Sequence, residues 1–268
     1  MTLSVFCAVC TPARAESDTN PQTGSVSPAE TDGAVAKPKF IIAIDPGHGG
    51  ADPGASSADH VREKDVVLAF GLALKQKLEM TGQFVVVMTR EDDTFIPLED
   101  RPQMAREIKA DLFIAIHADK LDDPSVRGTT IYTVSDKASD AEAEALAQKE
   151  NRADIISGMD LGQQNADVTN MLINLAQRES KSQAVMFAKR AVNEIRPVTE
   201  LTGKPLRSAA FVVLKSPDVP SVLVELGYLS NQADKGMLLS PKWRGEMAAA
   251  MTRAVEQHFA PVATASKQ

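Results

Sequence analysis

Apolar residues fall along this chain in two rhythms. Phe40 to Ile44, Phe84 to Thr89 and Asp111 to Ile116 are short, nearly unbroken apolar runs, the character of strands covered on both faces. A further pair of strands is read at Ala210 to Leu214 and at Ser221 to Glu225, with another at Thr129 to Thr133. Between them the period changes. Lys64 to Met80 carries Val67, Phe70, Leu74 and Leu78 at helix spacing, and Arg101 to Lys109 makes a shorter helix. Ser240-Pro241 is an N-cap and first-turn pair, after which Trp243, Met247, Met251, Ala254, Val255 and Phe259 repeat on one face of a closing helix. Strands alternating with helices predict a single three-layer α/β domain, with a largely parallel sheet flanked by helices on both faces.

Two stretches break that rhythm. Ser135 to Ile195 is a long segment without a convincing strand. It opens with the Ala- and Glu-rich Asp140 to Lys149, and Val168 to Ile195 reads as a long helix packed on the sheet. Residues from about 136 to 183 are therefore expected as a helical insertion in a domain running from 39 to 260, with a frayed tail over 261–268. At the other end, Leu3 to Cys10 is a short apolar run followed by Ala13-Arg14-Ala15, which fits a signal-peptide cleavage site. Residues 1–15 are expected to be the remnant of an export signal whose start lies upstream. Residues 16–38, rich in Ser, Thr, Pro, Asp and Gly, are expected to be a disordered linker.

Composition narrows the chemistry. Cys7 and Cys10 are the two cysteines, both inside the expected signal, so a metal in the folded part must sit on histidine and carboxylate. A formal net charge of -7 argues against a nucleic-acid partner, and no apolar run approaches the roughly 18 residues of a membrane span.

Four residues then stand out. His48, in Asp45-Pro46-Gly47-His48-Gly49-Gly50, follows the first buried strand in a glycine-rich turn, at the strand end where open α/β sheets bind ligands. His117 closes a second buried strand. If the two strands are parallel neighbours, both imidazoles emerge at one rim and can share an ion. Glu63 opens the helix after the His48 loop; it either complements the helix dipole, worth about 0.3–1 kcal/mol, or completes a three-ligand zinc set with an open fourth position. Glu225 ends the strand Ser221 to Glu225, where a carboxylate is costly unless paired, for instance with Arg207, or used as a general base. His60 competes as a ligand, but no strand aims it.

Ile44 to Gly50, Glu63-Lys64-Asp65, Thr89-Arg90, Ile116-His117-Ala118-Asp119 and Val224 to Asn231 together resemble, in order, the motifs of the zinc-dependent N-acetylmuramoyl-L-alanine amidases that split the septal wall of Gram-negative bacteria. The resemblance spans roughly Lys39 to Phe259. It implies a six-stranded, mostly parallel sheet, a periplasmic address, one Zn²⁺ held by His48, Glu63 and His117, and Glu225 as catalytic glutamate. The substrate would be peptidoglycan, cut between the muramic acid lactyl group and L-alanine. It also implies that the insertion covers the cleft, that Glu150 donates an acidic side chain to the metal at rest, and that an activator protein moves the helix. Other readings remain open from the residues alone: a zinc peptidase or amidase acting on another small amide, a silent wall-binding module that retains zinc, a purely structural set of imidazoles and acids, or Glu150 as one more solvated glutamate beside Glu142 and Glu144.

Overall fold

The computed structural model describes residues 39–152 and 170–265, without the side chains of 170–176 and 261–265. The expected signal, the Cys7–Cys10 pair, the linker and the middle of the insertion lie outside the described residues.

The elements run β1 (Phe40–Pro46), α1 (Glu63–Met80), β2 (Phe84–Met88), α2 (Asp100–Glu107), β3 (Leu112–His117), β4 (Thr129–Val134), α3 (Ala141–Glu150), α4 (Asn170–Ile195), β5 (Leu201–Ala209), a 3-10 turn (Val212–Leu214), β6 (Ser221–Glu225), α5 (Gln232–Leu238) and α6 (Pro241–Ala265). The six strands form one sheet in the order β2-β1-β3-β6-β4-β5. Every neighbouring pair is parallel except β4 with β6. The predicted architecture is thus the observed one.

Strand alternation sorts the core into two layers. Ile42, Ile44, Val86, Leu112, Ile114, Val222 and Val224 face Val67, Phe70 and Leu74 of α1, Phe187 and Val192 of α4, and Met247, Met251 and Val255 of α6. On the opposite face Ala43, Phe113, Ala115, Tyr132 and Leu223 meet Ala105 of α2, Ala143, Leu146 and Ala147 of α3, and Phe211, Val213 and Leu214. Local signals fix the helix starts: the Asp140 carboxylate accepts from the Ala143 N–H at α3, and the Asn231 side chain accepts from Ala233 and Asp234 at α5.

Two readings need correction. The segment Ala210 to Leu214, expected as a strand, is instead a short link followed by a 3-10 turn at Val212–Leu214; β5 lies earlier, at Leu201–Ala209. That segment hides its strand character because Gly203 and Pro205 interrupt it, which a sheet edge tolerates and a central position does not. The apolar run after it is core filler: Phe211 packs edge-on against Tyr132, ring centroids 5.3 Å apart. The closing helix also continues past Phe259 to Ala265, over residues expected to fray.

Candidate metal centre

β1 and β3 are parallel neighbours, with Pro46 paired to Ile116, so the residues just beyond each emerge at the same rim. β6 lies on the other side of β3, and its register sets Glu225 beside His117. The topology therefore brings His48, His117 and Glu225 to one edge of the sheet, and the rings of the two histidines stand 5.0 Å apart, edge to face.

Glu63, the first residue of α1, lies fully buried between the imidazoles. One carboxylate oxygen is 3.1 Å from His48 Nε2 and the other is 3.1 Å from His117 Nδ1. The same carboxylate accepts from the Ala55 N–H at 2.9 Å and the Ala118 N–H at 2.8 Å, so backbone from two segments fixes it. Glu150, the last residue of α3, brings an oxygen to 3.3 Å from His117 Nδ1 and 3.6 Å from His48 Nε2. His48, His117 and Glu150 present ligand atoms close enough together to hold one metal ion, and Glu63 adds a further oxygen to each imidazole.

The donor chemistry fits a cation. Among the described residues His48 Nε2 is buried without a hydrogen bond, although two carboxylates approach it. A lone pair aimed among carboxylates is the situation of a metal-binding nitrogen. Its other nitrogen, Nδ1, lies 2.7 Å from the Asp52 carboxylate, the carboxylate-histidine pairing that fixes tautomer and ring orientation. Asp52 in turn accepts from the Gly54 N–H at 2.9 Å. The surplus of acid shows in the titration behaviour. Burial alone would depress the His48 pKa, yet the Glu63, Asp52 and Glu150 carboxylates raise it well above the ordinary histidine value. Burial acts against ionisation of Glu63 as well, but the two imidazoles hold its pKa well below the ordinary range.

Two glycines are required here. A Cβ on Gly47 would stand 2.4 Å from the His117 ring, so the imidazole can pack only on a bare backbone. Gly54 has φ +65, and a Cβ there would press on both His48 and Glu63. His48 itself sits at φ 63, a conformation few non-glycine residues adopt. Buried arginines clamp that turn from beneath: Arg101 donates to the His48 carbonyl at 2.9 Å and to Asp45 at 2.8 Å, while Arg90 donates to the Pro46 and Gly47 carbonyls.

Glu225 is fully buried and pairs with no arginine among the described residues; Arg207 spends its guanidinium on Asp140 and Glu142 instead. One Glu225 oxygen accepts from the Asp119 N–H at 2.5 Å and the other has no hydrogen-bond partner among the described residues. Burial, then the carboxylates of Glu63, Asp119 and Glu150, raise its pKa well above the ordinary glutamate value. Asp119 is pushed up to about 6 by burial and the Glu63 and Glu150 charges. His60 is exposed in its loop and is not part of the site.

All five residues singled out from the sequence thus converge. Asp52 and the two arginines went unnoticed as positioning groups, although Asp52 stands only four residues after His48. No sequence signal marked the Lys149 ammonium, which forms an ion pair with Asp119 beside the site.

The chain matches the N-acetylmuramoyl-L-alanine amidase family over residues 42–257. It is 36% identical over 222 residues to the N-acetylmuramoyl-L-alanine amidase AmiA of Escherichia coli K12, covering 82% of this chain and 76% of that one. It is 37% identical over 220 residues to AmiC of Neisseria meningitidis serogroup B, covering 82% of this chain and 52% of that one, so it spans about half of that longer relative. Among solved structures, the amidase AmiC2 of Nostoc punctiforme superposes with a TM-score of 0.59 at 25% identity, over 83% of this chain and 98% of that one. An amidase from Clostridium difficile 630 shares the fold with a TM-score of 0.59 at 22% identity, over 83% of this chain and 97% of that one. With family match, close relatives and fold in agreement, this chain belongs to the N-acetylmuramoyl-L-alanine amidase family.

Proposed function

We propose that the chain is a zinc-dependent hydrolase of the amide bond between N-acetylmuramic acid and L-alanine in peptidoglycan, working in the periplasm during wall remodelling and daughter-cell separation. The observation that carries the reading is the convergence of two imidazoles and a carboxylate beside a buried glutamate with a free oxygen. His48, Glu63 and His117 would hold the ion, a histidine and carboxylate set of the kind zinc accepts. Bound there, zinc would supply Lewis-acid polarisation of a carbonyl and acidify water.

The chain's own residues do the rest. Asp52 holds His48 with Nε2 free to ligate. The Asp119 N–H anchors Glu225 through one oxygen, leaving the other to take a proton from the attacking water and return it to the departing nitrogen of L-alanine. Burial and the neighbouring carboxylates favour the protonated form of Glu225, the direction that suits a group which must accept a proton and hand it on. Glu150 lies at the approach to both imidazoles, which supports a resting state in which α3 covers the site and an activator that favours withdrawal of α3 switches the enzyme on.

Muropeptide analysis of digested peptidoglycan, with the wild-type protein and Glu225→Ala side by side, tests the reading. Free stem peptides and unshortened glycan strands are expected from the wild type. The variant should lose about 10²–10⁴-fold in rate while keeping its zinc. Cleavage elsewhere in the peptide, or an unaffected variant, would overturn the assignment.

A further inference from the structure

The last two residues of α3 carry opposite charges into the site. The Glu150 carboxylate lies 3.3 Å from His117 Nδ1 and 3.6 Å from His48 Nε2. Lys149 sets its half-exposed ammonium on one oxygen of the Asp119 carboxylate. Asp119 is only 1% exposed, and its second oxygen has no hydrogen-bond partner among the described residues. Its backbone N–H is the donor that anchors Glu225, so its carboxylate stands beside the glutamate that handles the proton. Lys149 and Glu150 also line one cleft of about 120 Å³ with His48, Pro53, Gly54 and Ala55. A buried acid next to Glu225 is thus satisfied by a cation that belongs to a helix anchored mainly by polar contacts.

Hydrolysis of an amide produces the same pair of charges. Water adds to the carbonyl carbon, and the C–N bond breaks with its electron pair left on nitrogen. Both water protons end on that nitrogen, the first of them by way of Glu225, so an uncharged amide and water become a carboxylate and an ammonium. An α-amino group keeps its proton up to about pH 7.7–8.0, so the departing L-alanine end is cationic near neutral pH. From this we infer that Glu150 and Lys149 imitate the two products of the reaction, and that the Asp119 carboxylate is the subsite for the newly formed ammonium of L-alanine. The inference rests on the amidase reading and deepens it. Once α3 withdraws, Lys149 leaves with it, and a buried carboxylate stripped of its partner is costly, so a cation arriving beside Glu225 is favoured. The uncleaved amide has no charge to offer. Asp119 therefore acts on the nitrogen as it gains its protons and not on substrate binding.

The test uses a Glu150→Ala background and a synthetic N-acetylmuramyl-tripeptide as substrate. Two probes are compared: the free tripeptide that cleavage releases, and its lactyl counterpart, in which a hydroxyl replaces the L-alanine amino group. Competitive inhibition and calorimetric titration both read their affinities. Glu150→Ala is expected to bind the amino probe about tenfold more tightly than the hydroxyl probe, the size of one charge-assisted hydrogen bond. Adding Asp119→Asn, which keeps the side-chain shape and the backbone N–H to Glu225, should abolish that preference and lower kcat, with KM and bound zinc retained. A merely structural defect would weaken both probes alike and leave their ratio as it was. Should Asp119→Asn fail to fold, Asp119→Ser carries the same comparison. Equal affinity of the Glu150→Ala protein for the two probes, or a preference that survives removal of the Asp119 charge, overturns the subsite. Cleavage of the parent compound by Glu150→Ala separates that outcome from failure of the amidase reading, in which neither protein turns the compound over.

Discussion

Two carboxylates approach the same pair of imidazoles, and they are held in opposite ways. Glu63 opens an 18-residue helix whose Val67, Phe70, Leu74 and Leu78 are buried in the thick layer formed with α4 and α6. Two backbone N–H groups grip it as well. Glu150 closes a 10-residue helix on the other face of the sheet, anchored in the core by Ala143, Leu146 and Ala147. Burial of a large apolar side chain is worth about 1.5–3 kcal/mol, and α1 buries four of them here where α3 has Leu146 and two alanines, which contribute little. The remaining hold on α3 is polar: Lys149 to Asp119, Arg207 to Asp140 and Glu142, and Asn151 on Ala210 and Val212. The difference teaches that two carboxylates at similar distances from the imidazoles can differ in what anchors them, and under the proposed reading that anchoring separates a lasting ligand from a removable one.

The sharpest way to break the comparison is Glu63→Gln. It keeps the volume but removes the charge between the two imidazoles, and its amide nitrogen would face the Ala55 or Ala118 N–H, donor against donor. Loss of most bound zinc and of activity is expected, with about 1–3 kcal/mol of lost stability from the unsatisfied groups. Metal analysis and denaturant unfolding read the two effects. A variant that retains a full equivalent of zinc and wild-type turnover would show that Glu63 is only a helix-start residue.

Glu150→Ala should move the other way. Removing the oxygen near His48 and His117 costs the thin layer its central contact, so partner-free activity is expected to rise about tenfold or more, the equivalent of about 1.4 kcal/mol of shift toward the open state. Lys149→Ala, which frees Asp119 but leaves Glu150, should give a smaller rise in the same direction. Unchanged turnover in a folded Glu150→Ala protein removes the resting-state idea and leaves the zinc assignment standing.

The sequence made the thick layer and the rim of the sheet readable, and made the thin layer only partly so. Buried strands such as Leu112–His117 announce themselves because water-excluded runs must be apolar on both faces, and the position of His48 and His117 at strand ends follows once β1 and β3 are neighbours. Glu150 was reached through family resemblance, since its own segment is an ordinary alanine- and glutamate-rich helix. β5 was missed because an edge strand need not be apolar, and α5 because a helix of seven residues is too short for a period to show. Asp52, Arg90 and Arg101 escaped for a different reason: their work is to bond turn carbonyls and one imidazole, and such tertiary pairings leave no pattern along the chain.

The smallest expected effect probes the thick layer itself. His258 of α6 is buried against Phe187 and accepts a hydrogen bond at Nδ1 from Arg190 of α4 at 2.9 Å. Burial, then the Arg190 charge, lowers its pKa to about 4. The folded state therefore keeps His258 neutral where the unfolded chain, at about 6.5, already binds a proton. By linkage the contribution is whole above about pH 6.5 and is lost progressively as pH falls toward 4, where both states are protonated. His258→Gln, which can still accept from Arg190, should remove that slope, for a difference of about 1–2 kcal/mol between the two proteins after solvent screening. Because α3 is not packed on His258, Glu150→Ala should leave the slope as it is. Equal pH dependence in wild type and His258→Gln between pH 7 and 4 would mean that the α4–α6 contact is wetter, and the layer it closes less permanent, than the contrast with α3 requires.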